Sequence, residues 1–262
     1  MIAVFSGTGN SLRVARLLQK ELGDAIVMLP GEIPYPADGR LIWVFPIYSW
    51  GLPPVVLDAI ASSPEGRDTQ TFMVATCGDD IGRADRRWAK AVRKRGWCPA
   101  GAFSVQMPNT YVLMKGFDVD SPELAQAKVT AAPARVAAIA AAIRQATESG
   151  RPASTDVVSG SFAAIKTGVI YPWFRRYAMS PEPFFADDRC IGCGLCARSC
   201  PLHNITMTQT GRPDWGDRCT LCLRCYHVCP AHAVCYTTAT RGKGQSRLLI
   251  ADLLSELDSQ TH

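Results

Sequence analysis

Cysteine is nearly missing from the first 189 residues of this 262-residue chain, which hold only Cys77 and Cys98. No apolar run is long enough to span a membrane, and no secretory signal is visible. The net charge of +5 is not concentrated: positions 1–150 carry 16 basic and 14 acidic residues, the rest 12 and 9. A nucleic-acid binder concentrates its basic residues in a stripe, and only one segment here comes close. No nucleophile with a paired base and no catalytic carboxylate pair is evident. These absences exclude a membrane-spanning protein, a secreted disulfide scaffold and the common hydrolytic chemistries.

Cysteine returns abruptly near the end: nine of the eleven fall between Cys190 and Cys235. Such clustering without a signal sequence points to metal sites in a reducing, cytoplasmic compartment. Cys190, Cys193, Cys196 and Cys200 precede Pro201, and Cys219, Cys222, Cys225 and Cys229 precede Pro230. Both runs read CxxCxxCxxxCP, the bacterial spacing for [4Fe–4S] ligation in which the fourth cysteine binds the other cluster. Three thiolates two residues apart cap three irons of a cube, and the fourth iron needs a ligand from elsewhere. Cys190, Cys193, Cys196 and Cys229 are therefore expected at cluster one, and Cys219, Cys222, Cys225 and Cys200 at cluster two. A pair of zinc sites is the alternative, but zinc gains nothing from a third cysteine at the same interval. Cys235 lies outside the pattern and is expected as a buried thiol. His227 is expected to pack, with a contact tuning a cluster as the alternative. Trp215 is expected to cover a cluster or a core face.

With 47% hydrophobic residues, one large or two modest domains can be built. Strands are expected at 2–5, 25–29, 41–48, 71–76 and 102–107, and helices at 12–22, 53–61, 82–95 and 123–148, the last kinked or split by Pro133. Five strands separated by helices imply an α/β fold with a doubly wound parallel sheet. The expected order is a sheet domain over 1–150, an irregular connecting segment over 151–186, a small α+β cysteine-rich domain over 187–238, and a tail over 239–262 with a helix at 248–257.

Between the first strand and helix lies Ser6-Gly7-Thr8-Gly9-Asn10-Ser11. Small residues and hydroxyls there let N–H groups wrap a terminal phosphate at a positive helix end. If that loop works so, nothing is expected to be cleaved from this end. In this fold class ligands lie at the carboxyl ends of the strands. The turn after the third strand, Pro46-Ile47-Tyr48-Ser49-Trp50-Gly51, offers aromatic faces for an isoalloxazine ring. That after the fourth, Thr76-Cys77-Gly78-Asp79-Asp80-Ile81-Gly82, offers backbone groups at its edge. Hydrophobic packing is the plain alternative for Tyr48 and Trp50, and a solvated helix cap for Asp79 and Asp80.

Ser6 to Ser11 is similar to the phosphate loop of flavodoxins. Together with the doubled cysteine motif, nearly the whole chain resembles a family of flavodoxin–ferredoxin fusion proteins common in anaerobes. Matching stretches include Met107-Pro108-Asn109-Thr110-Tyr111, Cys200-Pro201-Leu202-His203-Asn204-Ile205 and Cys225-Tyr226-His227-Val228-Cys229-Pro230. The resemblance implies a flavodoxin-like five-stranded sheet, a two-cluster ferredoxin domain, FMN, two [4Fe–4S] clusters and a redox function. Many flavodoxins cover the ring with an aromatic in the loop after the fourth strand. This loop has none, so a more open ring is expected.

The helix after the fourth strand carries Arg83, Arg86, Arg87, Lys90, Arg93, Lys94 and Arg95 against Asp85 alone. A solvated face is the plain reading, and a docking surface for an acidic redox partner the sharper one. Without an aromatic platform, nucleic acid is not expected. Arg241-Gly242-Lys243-Gly244 reads as a surface turn, with a phosphate contact as the alternative. The leading reading is an electron carrier. The rivals are an FMN-dependent reductase of a small molecule, fed through the clusters, and a sensor or scaffold with structural clusters.

Overall fold

A computed structural model describes residues 1–259 apart from 38 and 181, and of 256–259 the backbone alone. Residues 260–262 of the expected tail lie outside the described part. Strands β1 (Ile2–Val4), β2 (Ile26–Met28), β3 (Arg40–Pro46), β4 (Gln70–Cys77) and β5 (Cys98–Gln106) form one sheet in the order β2-β1-β3-β4-β5. All neighbours are parallel. This is the flavodoxin-like doubly wound order, whose switch point lies between β1 and β3. The β3 and β4 sequences, RLIWVFP and QTFMVATC, are apolar almost throughout because helices cover both faces.

One core, with Phe5, Trp43, Phe45, Met73 and Trp88, lies beneath α2 (Pro54–Ser62) and α3 (Ala84–Arg93). The other, with Val4, Val14, Val44, Val74 and Ile139, lies beneath α1 (Asn10–Leu22) and α4 (Pro122–Ser149). Gly23, at φ 76°, ends α1 with its N–H on the Gln19 carbonyl, as its sequence position predicts. Pro133 does not split α4, which is continuous over 28 residues. It stands on the exposed face of the helix.

The connecting segment is more ordered than its composition implies. Ala153 and Asp156 extend the β5 edge, donating to the carbonyls of Ala100 and Ala102 at 2.7 and 2.9 Å. Residues 163–178 are then continuously helical, with π-type turns at Lys166–Ile170 and Phe174–Ala178. Tyr171 anchors this segment. It is 2% exposed, its hydroxyl donates to the Leu52 carbonyl at 2.6 Å, and its ring lies over Gly51, where a Cβ would sit 2.2 Å away.

The cysteine-rich unit is built on two small antiparallel ladders. Strand β6 (Phe184–Ala186) pairs with β9 (Val234–Tyr236), and β7 (Ile205–Met207) with β8 (Pro213–Trp215). Short helices Leu195–Arg198 and Arg224–Val228 carry the later cysteines of each motif. The tail helix, Ile250–Ser259, lays Ile250 and Leu253 against Leu12 of α1 and Val228, closing the seam between the two units. No helix among the described residues is long and apolar enough to cross a membrane.

Candidate functional site

The two cysteine motifs surround two small cavities. Cys190, Cys193, Cys196 and Cys229 line one, beside Ile191, Met207 and Val234. Cys200, Cys219, Cys222 and Cys225 line the other, beside Phe184, Trp215 and Arg224. Each cavity thus takes three cysteines from one motif and the fourth from the other.

The donor set suits a sulfur-rich cluster. Backbone N–H groups of Asn204, Leu221 and Ala233 donate to the Sγ atoms of Cys200, Cys219 and Cys229 at 3.3–3.4 Å. Trp215 Nε1 is buried at the second cavity beside Cys225, whose thiolate its N–H favours. Burial pushes the Cys219 thiol up to about 12 and Cys196 up to about 11, with neighbouring thiolates adding to the rise. Bound iron would supply the positive charge that lets such thiols ionise. Cys235 departs from expectation: it is half-buried, and its thiol donates to Asp187 at 3.6 Å.

A cleft of about 390 Å³ opens at the carboxyl ends of the strands. It is lined by Asn10, Pro46, Ile47, Tyr48, Ser49, Trp50, Thr76, Cys77, Gly78 and Asp79 of the residues read from the sequence as flavin loops. The turn at 48–51 is closed by reciprocal Tyr48–Gly51 hydrogen bonds of 3.0 Å, with Ser49 and Trp50 at positive φ. That conformation turns both aromatic side chains toward the sheet end. Asp80 does not act as a solvated cap. It accepts from Gly82 N at 3.0 Å and pairs with Lys166 at 2.6 Å, and Lys166 in turn lies 5.0 Å from the Trp50 ring centre. Burial, then Asp80 and Asp79, push the Cys77 thiol up to about 12, so it stays protonated.

Ser6, Gly7, Thr8, Gly9, Ser11, Gly51 and Gly82 do not line this cleft. Gly51 and Gly82 give way to Tyr171 and Thr167, which press on them. The loop at 6–9 lies behind the cleft and is buried beneath the cysteine-rich unit. An added Cβ on Gly7 would meet the Cys222 carbonyl at 2.6 Å, and one on Gly9 the Leu249 carbonyl at 2.5 Å. Helix α1 begins there with no side-chain cap and no acidic residue in its first turn, and the Gly9 N–H donates to Ser6 Oγ at 3.2 Å. Tyr48 lines the cleft with its ring, while its hydroxyl is buried beside Cys222, Cys219 and Arg224. An aromatic-lined cleft of this size at a switch point fits a flavin ring.

Sequence reasoning missed much of the opposite wall. Tyr111, Met114 and Phe117 come from the loop after β5, and Ile170, Trp173 and Phe174 from the helical segment. They supply the aromatic cover that the loop after β4 lacks; Tyr111 meets Phe117 and Phe174 edge-on at 5.6 and 6.2 Å. Lys128 reaches from α4 to the Gly78 carbonyl at 2.9 Å and Asp120 at 2.7 Å. Leu221, Cys222 and Leu223 complete the cleft, so a loop lining the second cysteine cavity is also a cleft wall.

His227 proves structural. It is 1% exposed, accepts at Nδ1 from Ser246 N at 3.0 Å and donates from Nε2 to the Thr110 carbonyl at 2.9 Å. Burial lowers it to about 4, so it is neutral and ties the cleft loop to the tail. Lys243 is likewise occupied, donating to the carbonyls of Met114 and Phe117.

Fold and site together define a flavodoxin-like α/β domain joined to an iron–sulfur domain. The family of 4Fe–4S dicluster domains matches residues 189–233, which carry all eight motif cysteines. The chain thus joins a flavodoxin-like α/β sheet to a region that matches 4Fe–4S dicluster domains. No curated protein matches it. Solved structures similar to it include a protein described as a flavoprotein from Bacteroides uniformis, at 15% identity over 40% of this chain and 88% of that one, with a TM-score of 0.33. The Trp repressor binding protein from Bacillus subtilis is similar at 16% identity over 52% and 97%, with a TM-score of 0.32. Azoreductase AzrA is similar at 11% over 53% and 99%, with a TM-score of 0.34. The fold assignment rests on the strand order itself.

Proposed function

We propose that this chain is an electron-transfer protein in which FMN occupies the cleft, two [4Fe–4S] clusters occupy the four-cysteine cavities, and a redox partner exchanges electrons with them. One observation carries the reading: Cys222 lines both the second cysteine cavity and the flavin-sized cleft. The bound groups supply the redox chemistry, the flavin taking one or two electrons and each cluster one. The chain's own residues hold, orient and shield them. Tyr48, Trp50 and Tyr111 offer ring faces, and Asn10 at the start of α1 is the part of the 6–11 loop that reaches the cleft.

Burial sets a direction along the chain of cofactors. Cys193 is exposed and Ile191 beside it is 69% exposed, so the first cavity lies at the surface. The second has no exposed cysteine, with Cys225 buried, Arg224 at 2% and Leu221 at 5% exposure. A partner would thus meet the Cys193 cavity first, with the Cys222 cavity lying between it and the cleft.

The test is anaerobic rapid mixing of the cofactor-loaded protein with a one-electron reductant. Cluster bleaching followed by flavin reduction at a rate independent of protein concentration supports transfer within one chain. A rate that scales with protein concentration sinks it. Steady turnover of a quinone or nitro compound at the cluster reoxidation rate would favour the reductase instead.

A further inference from the structure

Surface helices normally bury an apolar stripe and show a polar one to water. The segment 163–178 is braced against the protein and still shows an apolar face outward. Its inner face is fixed at Thr167, Tyr171 and Phe174, which are 5%, 2% and 6% exposed. Thr167 Oγ1 accepts from Arg83 N and donates to the Trp50 carbonyl, both at 2.8 Å. The outer face carries Phe162 at 78%, Ile165 at 53%, Val169 at 64%, Trp173 at 53% and Tyr177 at 68% exposure. Their spacing of three or four residues sets them in one row along the helix. Met114 at 45% and Phe117 at 42% continue the apolar surface across the mouth of the cleft.

Within the segment itself the charge has one sign, while Asp79 and Asp80 lie at the cleft rim beside it. No Asp or Glu occurs at 157–180, while Lys166, Arg175 and Arg176 do. Lys166 is paired with Asp80, and Arg175 and Arg176 lie over the Tyr171 and Tyr177 rings at 6.0 and 5.4 Å. The basic helix α3 abuts the same segment, since Arg87 donates to the Thr167 carbonyl at 2.9 Å. Arg86, Lys90 and Arg93 add further positive charge along α3.

We propose that this face docks on an anionic lipid bilayer, with the 162–177 row immersed at headgroup depth and the arginines on lipid phosphates. Protruding aromatic and aliphatic side chains flanked by basic ones are the signature of a helix lying in the membrane interface. Anionic headgroups add attraction for each basic residue near the surface. A second copy fits poorly, because a two-fold contact would set like charges face to face. An acidic protein would match the charge but leaves the protruding apolar row unexplained. Trp173 and Met114 belong to both the row's surroundings and the cleft rim, so docking brings the cleft mouth to the bilayer surface. The docking itself does not depend on which cofactors are bound.

The test is co-sedimentation of the full-length, cofactor-loaded chain with phosphatidylcholine vesicles, with and without phosphatidylglycerol. Binding is expected to the anionic vesicles only and to weaken with added salt. The triple variant Phe162→Ser/Val169→Ser/Tyr177→Ser is expected to bind about tenfold more weakly or worse. Its flavin and iron content should match the parent, because these side chains face away from both sites. The proposal is overturned if neither vesicle binds, or if the triple variant binds as the parent does. Self-association, or capture by an acidic redox protein, without vesicle binding equally overturns it.

Discussion

Arg224 of the cysteine-rich unit donates from Nε to the carbonyl of Gly7, in the loop that opens α1, at 2.8 Å. The same guanidinium reaches the Ser6 carbonyl at 2.5 Å and that of Ser199 at 2.7 Å, and the residue is 2% exposed. No carboxylate among the described residues pairs with it. A buried cation held only by carbonyls is costly unless negative charge lies near. Cys200, Cys222 and Cys225 supply that charge when ligated, their ionised forms offsetting the loss of hydration. Arg224 thus links the phosphate loop, the domain seam and the second cavity.

Replacing Arg224 with Met leaves three buried carbonyls without donors. Unfolding of the loaded protein in urea is expected to show a loss of about 3 kcal/mol or more. Arg224→Lys keeps the charge but not the fork, and is expected to recover only part of it. Removing the positive charge also disfavours the reduced, more negative state of the adjacent cluster. A redox titration of Arg224→Met is expected to show one cluster step lowered and the other unmoved. Equal shifts in both, or none, would contradict this placement.

Gly7 and Gly9 test the same seam from the other side. Gly7→Ala drives a Cβ into the Cys222 carbonyl, and Gly9→Ala adds a left-handed φ of 99° to a clash with Leu249. Both are expected to lower flavin retention, Gly9→Ala by about 1–3 kcal/mol more in stability because of its backbone strain. Gly7→Ala is also expected to lower iron content, since it displaces the loop carrying Cys222. Flavin and iron analysis of the purified variants checks both. A Gly7→Ala protein with full iron and flavin would mean that the two units do not meet there.

Tyr171→Ala removes a ring that fills the space over Gly51 and lies under the Arg87 guanidinium at 4.9 Å. A loss of about 3–5 kcal/mol in stability is expected. Limited proteolysis is expected to cut first within 160–178, as the segment detaches from the sheet domain. Cleavage spread over the whole chain would show that Tyr171 supports the global fold instead.

The sheet was legible because its signals are local. Continuous apolar runs such as Leu41 to Phe45 and loops after each strand fix parallel strands, and the cysteine spacing marks the iron–sulfur region. The helical segment 163–178 was not legible, because its outer face is apolar and its inner face is held by Thr167 and Tyr171 through contacts to distant loops. No periodic polar stripe announces it. The cover of the cleft was hidden for the same reason: Tyr111, Phe174 and Leu221 lie far apart in sequence and meet only through tertiary docking. Pro133 read as a helix breaker because the sequence does not show that it faces water. Arg224 gave no signal at all, since nothing in its motif tells that its guanidinium crosses to Ser6.

The crossed sharing of cysteines separates two outcomes that otherwise look alike. Cys229 belongs to the second motif by sequence, yet it lines the cavity of Cys190, Cys193 and Cys196 at the surface. Cys200 belongs to the first motif, yet it lines the cavity whose loop walls the flavin cleft. Cys229→Ser is therefore expected to cost the outer cluster and leave transfer between the inner cluster and the flavin intact. Cys200→Ser is expected to abolish that transfer while the outer cluster persists. Each variant is expected to lose about half of its iron by the two-cluster arrangement, whereas Cys77→Ser, Cys98→Ser and Cys235→Ser retain it all. Rapid-mixing kinetics on the two variants, with iron and sulfide measured on the same samples, reads the assignment directly. If Cys229→Ser stops flavin reduction and Cys200→Ser spares it, each motif serves its own cluster and the crossing is wrong.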